Sequence, residues 1–214
     1  MKILNLYACL GGNRYKWGDE HDITAVELDP EAARLYQERF PSDKVIVADA
    51  HQYLVDHYKK FDFIWSSPPC PTHSRINISQ YTRPNYKMKY PDMGLYQEII
   101  FLKHYFNGKY CVENVIPFYD LLINGQKRGR HIYWTNFNLP GVLTERKNPD
   151  LSRTPDLINI LSQFHDYDFH KYKGSQSRAK MARNLVDYEA GKVILDTAMG
   201  IEKKMNIKQV SLLD

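Results

Sequence analysis

The segment Ser66-Ser67-Pro68-Pro69-Cys70-Pro71 gathers a potential nucleophile and the means to hold it still. The flanking prolines fix φ and remove backbone donors, so Cys70 is held at the end of an apolar run without helical freedom. A solitary cysteine is usually an inert small hydrophobe. Here the loop that follows is polar and basic, which favours a thiolate. Cys70 and His73 could begin a metal site, but no second ligand pair stands at suitable spacing, so no metal is expected. A Cys70–His73 protease dyad would leave the remaining pattern unexplained.

That pattern is an adenosine-type site. Gly11-Gly12 form a turn after the first strand-like run, where backbone can approach a ligand closely. Glu27 closes the second run and can accept both hydroxyls of a ribose; Asp49 closes the third and can accept from an adenine amino group. Each acid alone is equally well read as an ordinary strand-end residue. The turn Ala8-Cys9-Leu10-Gly11-Gly12 lacks G-x-G-x-x-G, which disfavours NAD or FAD and leaves S-adenosylmethionine ahead.

The elements that must position these groups alternate as β and α signals, predicting an α/β fold with a mostly parallel central sheet and helices on both faces. Strands are expected at Ile3–Ala8, Ile23–Leu28, Val45–Ala48, Phe61–Ser66, Lys109–Glu113 and Ile132–Phe137. Asp29 as N-cap and Pro30 as first helical residue open a helix running to Phe40. Further helices are expected at Ala50–Tyr58, Asp92–Phe106, Pro117–Ile123 and Tyr188–Ala198. Residues 71–90 read as a long loop, and within 138–177 only Leu157–Phe164 looks regular. Gly11-Gly12, Glu27, Asp49, Cys70 and Glu113 then share one structural position beyond the strands' carboxyl ends, where open α/β sheets bind ligands.

At 214 residues with 43% hydrophobic composition, the chain suits one α/β domain with a small irregular appendage. No apolar run approaches a membrane span, and Met1-Lys2-Ile3-Leu4-Asn5 leads into a strand, not a signal peptide. Three sparse cysteines read as reduced thiols, so a cytoplasmic location is expected. The net charge of +4 conceals an asymmetry: residues 67–90 carry four basic side chains and no acid, and residues 127–183 carry 11 basic against 5 acidic. Two such segments could face phosphates if the fold unites them.

In this order the motifs resemble the DNA cytosine-5 methyltransferase family. Leu6-Tyr7-Ala8-Cys9-Leu10-Gly11-Gly12 is similar to the family's F-A-G-x-G-G cofactor loop, and Val26-Glu27-Leu28-Asp29 to its ribose-binding acid. Ala48-Asp49-Ala50 is similar to its adenine-reading acid, and Ser67-Pro68-Pro69-Cys70 to its Pro-Cys nucleophile. Val112-Glu113-Asn114-Val115 matches E-N-V, Gln126-Lys127-Arg128-Gly129-Arg130 matches Q-x-R-x-R, and Arg183-Asn184-Leu185-Val186 more faintly matches the closing G-N-x-V.

The resemblance implies a Rossmann-like S-adenosylmethionine-dependent methyltransferase fold. Its catalytic domain would comprise residues 1–137 and 178–200, with a reduced target-recognition region at 138–177 and a tail at 201–214. It implies that Cys70 attacks carbon 6 of a flipped cytosine in double-stranded DNA, with Glu113 holding a proton near N3 and Arg130, supported by Arg128, on the O2 edge. The cofactor would lie against Tyr7, Ala8, Cys9, Leu10, Gly11, Gly12, Asn13, Glu27, Leu28, Asp49, Ala50, Pro68 and Asn184. Ser74, Arg75, Arg83, Lys87 and Lys89, interleaved with Tyr81, Tyr86 and Tyr90, would meet nucleic acid.

Four departures stand out. Cys9 and Arg183 replace usual glycines; Asn13 replaces an aromatic that stacks on adenine, with Tyr15 or Trp17 as candidate substitutes; and the target-recognition region is short. Weak or very short sequence specificity, or specificity from a partner or second subunit, is therefore expected. A compact methylase of this kind suits a restriction-modification system, a phage or a mobile element. The alternatives are an amino-methyltransferase acting on adenine N6 or cytosine N4, an RNA cytosine-5 methyltransferase, and a non-catalytic DNA-binding module. The first overlaps at Ser67-Pro68-Pro69 but needs an aromatic where Cys70 stands.

Overall fold

The computed structural model describes residues 1–80, 83–87, 89–147, 149 and 156–201. Its seven strands are β1 (Lys2–Leu6), β2 (Asp22–Glu27), β3 (Lys44–Val47), β4 (Phe63–Ser66), β5 (Lys109–Val115), β6 (Gln126–Arg128) and β7 (His131–Thr135). They form one sheet in the order β3-β2-β1-β4-β5-β7-β6. The first five strands pair in parallel, and β7 runs antiparallel to both β5 and β6. The expected Rossmann-like, mostly parallel α/β sheet is therefore present. Its strand order reverses between β1 and β4, which places the ligand crevice at their carboxyl ends.

Among the described residues there are six α-helices: α1 (Pro30–Arg39), α2 (Ala50–His57), α3 (Gly94–Tyr105), α4 (Leu157–His165), α5 (Arg178–Arg183) and α6 (Tyr188–Ala198). Asp29 caps α1 by accepting from the Glu31 and Ala32 amides, and Asp49 caps α2 by accepting from Gln52. Each cap satisfies amides that the first turn leaves without helical partners, so both helices start where the sequence signals them. On one face, Leu54 of α2 and Leu95, Ile99 and Leu102 of α3 pack on Leu4, Leu6, Ile64 and Val112. On the other, Ile194 and Leu195 of α6 cover Ile3, Ile23, Phe63 and Trp65. Strands covered on both sides are largely apolar, as Phe63–Trp65 of β4 and Ile3, Leu4 and Leu6 of β1 are, with buried Asn5 the polar interruption.

Three features depart from expectation. Residues 117–123 form no helix, because the segment is drawn against the nucleophile loop: Pro117 bridges Ser74, and the Phe118 amide donates to the His73 carbonyl. The short strand β6 and helix α5 lie where no regular element was expected. Phe169 and Tyr172 of the stretch expected to be irregular, with Leu161 of the expected helix α4, share a buried cluster with Leu10, Leu35 and Met181. That stretch thus packs on α1 and on the first βα turn. The expected tail, apart from Ile201, and Tyr81 lie outside the described residues.

Candidate functional site

β4 and β5 pair as Ser66↔Val112, so the turn that follows β4 runs beside Glu113 and Asn114. Asn114 is buried, and its Nδ2 donates to the Pro68 carbonyl at 2.9 Å. This bond clamps the turn that carries Cys70. Beyond it, the His73 and Ser74 amides both donate to the Cys70 carbonyl at 3.0 Å, and Asn77 Nδ2 donates to the Pro71 carbonyl at 2.8 Å. His73 is itself buried, with Nδ1 2.6 Å from the Tyr119 hydroxyl. Burial pushes its pKa below the ordinary value, so it holds the loop as a neutral ring.

Burial pushes the Cys70 thiol up from its ordinary value; the Glu113 carboxylate adds to the rise, and Lys180 opposes it. The expected thiolate-favouring effect of the surrounding basic loop is therefore absent, because desolvation outweighs it. The β4–β5 pairing and the Asn114–Pro68 bond bring the turn that carries Cys70 to the end of β5, where Glu113 stands. Glu113 is buried, and its Oε1 lies 3.5 Å from Nε2 of His131, a third of whose side chain is exposed. Nothing in the sequence singles out His131. It enters because β7 reaches Glu113 only through the antiparallel pairing with β5, which the sequence does not display.

Arg128 does not serve the role expected of it. Its guanidinium donates to the carbonyls of Lys127, Leu139 and Pro140, stapling the 139–140 turn. Arg130 is exposed just past the left-handed Gly129, which turns β6 into β7. Its carbonyl accepts from the Ile116 amide at 3.2 Å, which sets it beside the end of β5.

At the cofactor end, Tyr7 (φ 55°), Cys9 (φ 49°) and Gly11 (φ 71°) alternate in the left-handed region. Two non-glycine residues held there mark a backbone that its surroundings over-determine, as at ligand clamps. Glu27 sets the shape: its oxygens accept from the Cys9 amide at 2.8 Å and the Asp29 amide at 2.9 Å. Each oxygen keeps a second acceptor site for a ribose hydroxyl. Leu28, 67% exposed beside Glu27, offers an apolar edge for an adenine ring, and Asp49 is exposed at the next strand end. Burial and Glu27 raise the Cys9 thiol, so it stays neutral beside the carboxylate. These features fit an adenosyl ligand.

Other expected cofactor residues turn inward. Leu10, Gly11, Gly12 and Asn13 are buried, as are Ala8, Ala50 and Pro68, while Asn184 is exposed. Asn13 exchanges side-chain bonds with Asn5 at 2.7 and 3.3 Å. Neither proposed aromatic substitute faces the crevice: Tyr15 bonds Asp166 and lies under Arg39, and Trp17 is buried, donating to the Gly191 carbonyl. Within the chain, the missing side chains of both glycines make room for close packing. A Cβ on Gly11 would meet the Phe40 ring at 2.3 Å, and one on Gly12 would meet the Val186 carbonyl at 2.5 Å. Gly12→Ala is therefore expected to push the closing segment off the loop, weakening cofactor binding and costing about 1–3 kcal/mol. Calorimetric titration and thermal melts of the variant check this.

Arg75, Arg83, Lys87 and Lys89 are all exposed on the loop beyond Cys70, and Ser74 is half-buried against Pro117. Among the described residues, no three His, Cys, Asp or Glu side chains cluster to hold a metal, and no helix is long and apolar enough to cross a membrane.

No curated protein matches the chain. Among solved structures it is similar to a DNMT2 of Spodoptera frugiperda at 22% identity, covering 72% of this chain and 55% of that one, with a TM-score of 0.43. A hypothetical protein of Thermus thermophilus matches at 17% identity over 63% of this chain and 73% of its own, with a TM-score of 0.42. A TehB-like SAM-dependent methyltransferase of Corynebacterium glutamicum matches at 18% identity, 53% and 54% coverage, and a TM-score of 0.30. The chain thus spans about half the length of two of these three proteins. The model of the C-5 cytosine-specific DNA methylases matches residues 1–114, a stretch that holds the strained loop, Glu27, Asp49, Cys70, Glu113 and Asn114. S-adenosylmethionine is the cofactor that this match and the crevice at β1 and β2 together require. With more than half of its 214 residues matched, the chain belongs to the C-5 cytosine-specific DNA methylase family.

Proposed function

We propose that the protein methylates carbon 5 of cytosine in double-stranded DNA through a transient bond between Cys70 and carbon 6 of a flipped base. The observation that carries this reading is the pairing of a buried carboxylate with a half-buried thiol across neighbouring strand ends, clamped by Asn114. S-adenosylmethionine supplies the electrophilic methyl group. Cys70 Sγ adds to carbon 6, and the ring electrons shift to make carbon 5 nucleophilic. Charge that builds on the amidine edge is offset by a proton held between Glu113 and N3. Arg130 covers the O2 edge. Once carbon 5 carries the methyl group, its proton passes to a water molecule, the electron pair left behind re-forms the 5,6 double bond, and the Cys70–carbon 6 bond breaks, restoring the thiolate.

Because thiolate and carboxylate disfavour each other at this range, a proton on Glu113 makes the Cys70 thiolate easier to form. Cytosine N3 carries no proton of its own, so a proton taken up from solvent between N3 and Glu113 neutralises the carboxylate and activates the nucleophile only when the substrate is present. The exposed cations Arg75, Arg83, Lys87 and Lys89 take the phosphates around the flipped nucleotide. The free thiols Cys9, Cys70 and Cys111 suit the reducing cytoplasm, and sequence specificity is weak or very short, or supplied by a partner or second subunit.

Bisulfite sequencing of DNA and RNA from cells expressing the protein tests base, polymer and context together. Protected cytosines in DNA at a short recurrent context are the expected result. Protection confined to RNA would move the substrate, and methylation only at adenine N6 or cytosine N4 would end the cytosine-5 reading.

A further inference from the structure

We infer that Glu98 is the positioning residue that holds the cofactor loop and the nucleophile loop in one register. The carboxylate is fully buried on α3, yet three groups from three other elements meet it. The Tyr7 hydroxyl donates to Oε1 at 2.5 Å, His51 Nδ1 lies 3.1 Å from the same oxygen, and the Ser66 hydroxyl donates to Oε2 at 2.5 Å. Tyr7 opens the strained loop after β1, Ser66 ends β4 four residues before Cys70, and His51 lies two residues beyond Asp49 in the first turn of α2. One side chain thus fastens the three strand-end segments that the reaction must align.

Packing alone does not explain a glutamate here. Leu95, Ile99 and Leu102 make the buried stripe of α3 apolar, and a leucine at 98 would extend it without burying a charge. A carboxylate offers two oxygens with room for three partners at once, so it can tie groups from separate segments that no apolar side chain could orient. The His51 titration moves up, chiefly through its bond to Glu98, with Asp49 and Asp92 adding to the rise; burial first, and Glu98 second, push the Tyr7 hydroxyl up and keep it in its neutral, donating form. Both observations describe a carboxylate that governs its neighbours at the mouth of the crevice.

The inference deepens the proposed function but rests on its cofactor and nucleophile, not on cytosine. It is tested without nucleic acid, so failure of the cytosine-5 reading is read separately by bisulfite. The full chain is titrated with S-adenosylmethionine by calorimetry, and Cys70 alkylation by iodoacetamide is followed by peptide mass spectrometry. Glu98→Gln keeps the volume but brings a donor amide to one side, and is expected to weaken the cofactor about 10- to 100-fold while changing the Cys70 alkylation rate. Leu102→Ala, a cavity on the same helix, should lower Tm with neither change in the folded protein. Should Glu98→Gln not fold, Tyr7→Phe and Ser66→Ala are combined in a double-mutant cycle, with non-additive loss of cofactor affinity expected. Unchanged affinity in Glu98→Gln, equal effects from Leu102→Ala, or strict additivity in the cycle overturns the inference.

Discussion

Cys70→Ser is expected to abolish covalent capture of a 5-fluorocytosine duplex and to lower methyl transfer by on the order of 10⁴-fold or more. Fluorine at carbon 5 replaces the hydrogen that must leave, so the wild-type enzyme stalls as a complex that survives denaturing electrophoresis. Serine keeps the shape of the half-buried site and leaves the fold intact, but its hydroxyl needs a base to become a nucleophile. His73, the nearest histidine in sequence, cannot act as that base, because it is buried and turned to the Tyr119 hydroxyl at 2.6 Å. An undiminished covalent band with the serine variant would falsify the assignment of Cys70.

Glu113→Gln separates the two roles of the carboxylate by moving two measurements in opposite directions. Burial first, and the Glu113 charge second, hold the Cys70 thiol above its ordinary pKa. Removing that charge takes away the second cause, so the pKa falls part of the way back and the thiolate fraction at neutral pH rises. Alkylation of Cys70 by iodoacetamide should become faster in the variant, and in both proteins it should accelerate as pH rises toward the thiol's titration. Methyl transfer should nevertheless fall about 10²- to 10⁴-fold, since glutamine cannot pass a proton to N3. Slower alkylation together with unimpaired turnover would show that Glu113 neither faces the thiol nor serves the base.

Much of the scaffold is legible because its signals are local. Asp29-Pro30 opens α1 through a cap and a proline whose effects reach only a few residues, and Asp49 opens α2 in the same way. The glycine turn is equally visible in the sequence, but its purpose is not. Its missing side chains make room for Phe40 and for the Val186 carbonyl, and neither neighbour can be inferred from the turn itself. The helix expected at 117–123 fails for a related reason. Its local pattern is outcompeted by the bridge to Ser74 and the Phe118–His73 bond, which come from a loop more than forty positions away.

By itself the chain determined which chemistry is present and at which end of the sheet it lies, because strand-end residues follow directly from where each apolar run stops. Tertiary structure decided which of those residues work together. It set Glu113 against Cys70 and His131, fastened Pro68 to Asn114, diverted Arg128 to the carbonyls of the 139–140 turn, and gathered Tyr7, His51 and Ser66 on Glu98. Each of those pairings, apart from Arg128's, joins different secondary elements distant in sequence. A buried carboxylate in an amphipathic helix looks like any polar interruption until its three donors arrive from other strands and helices.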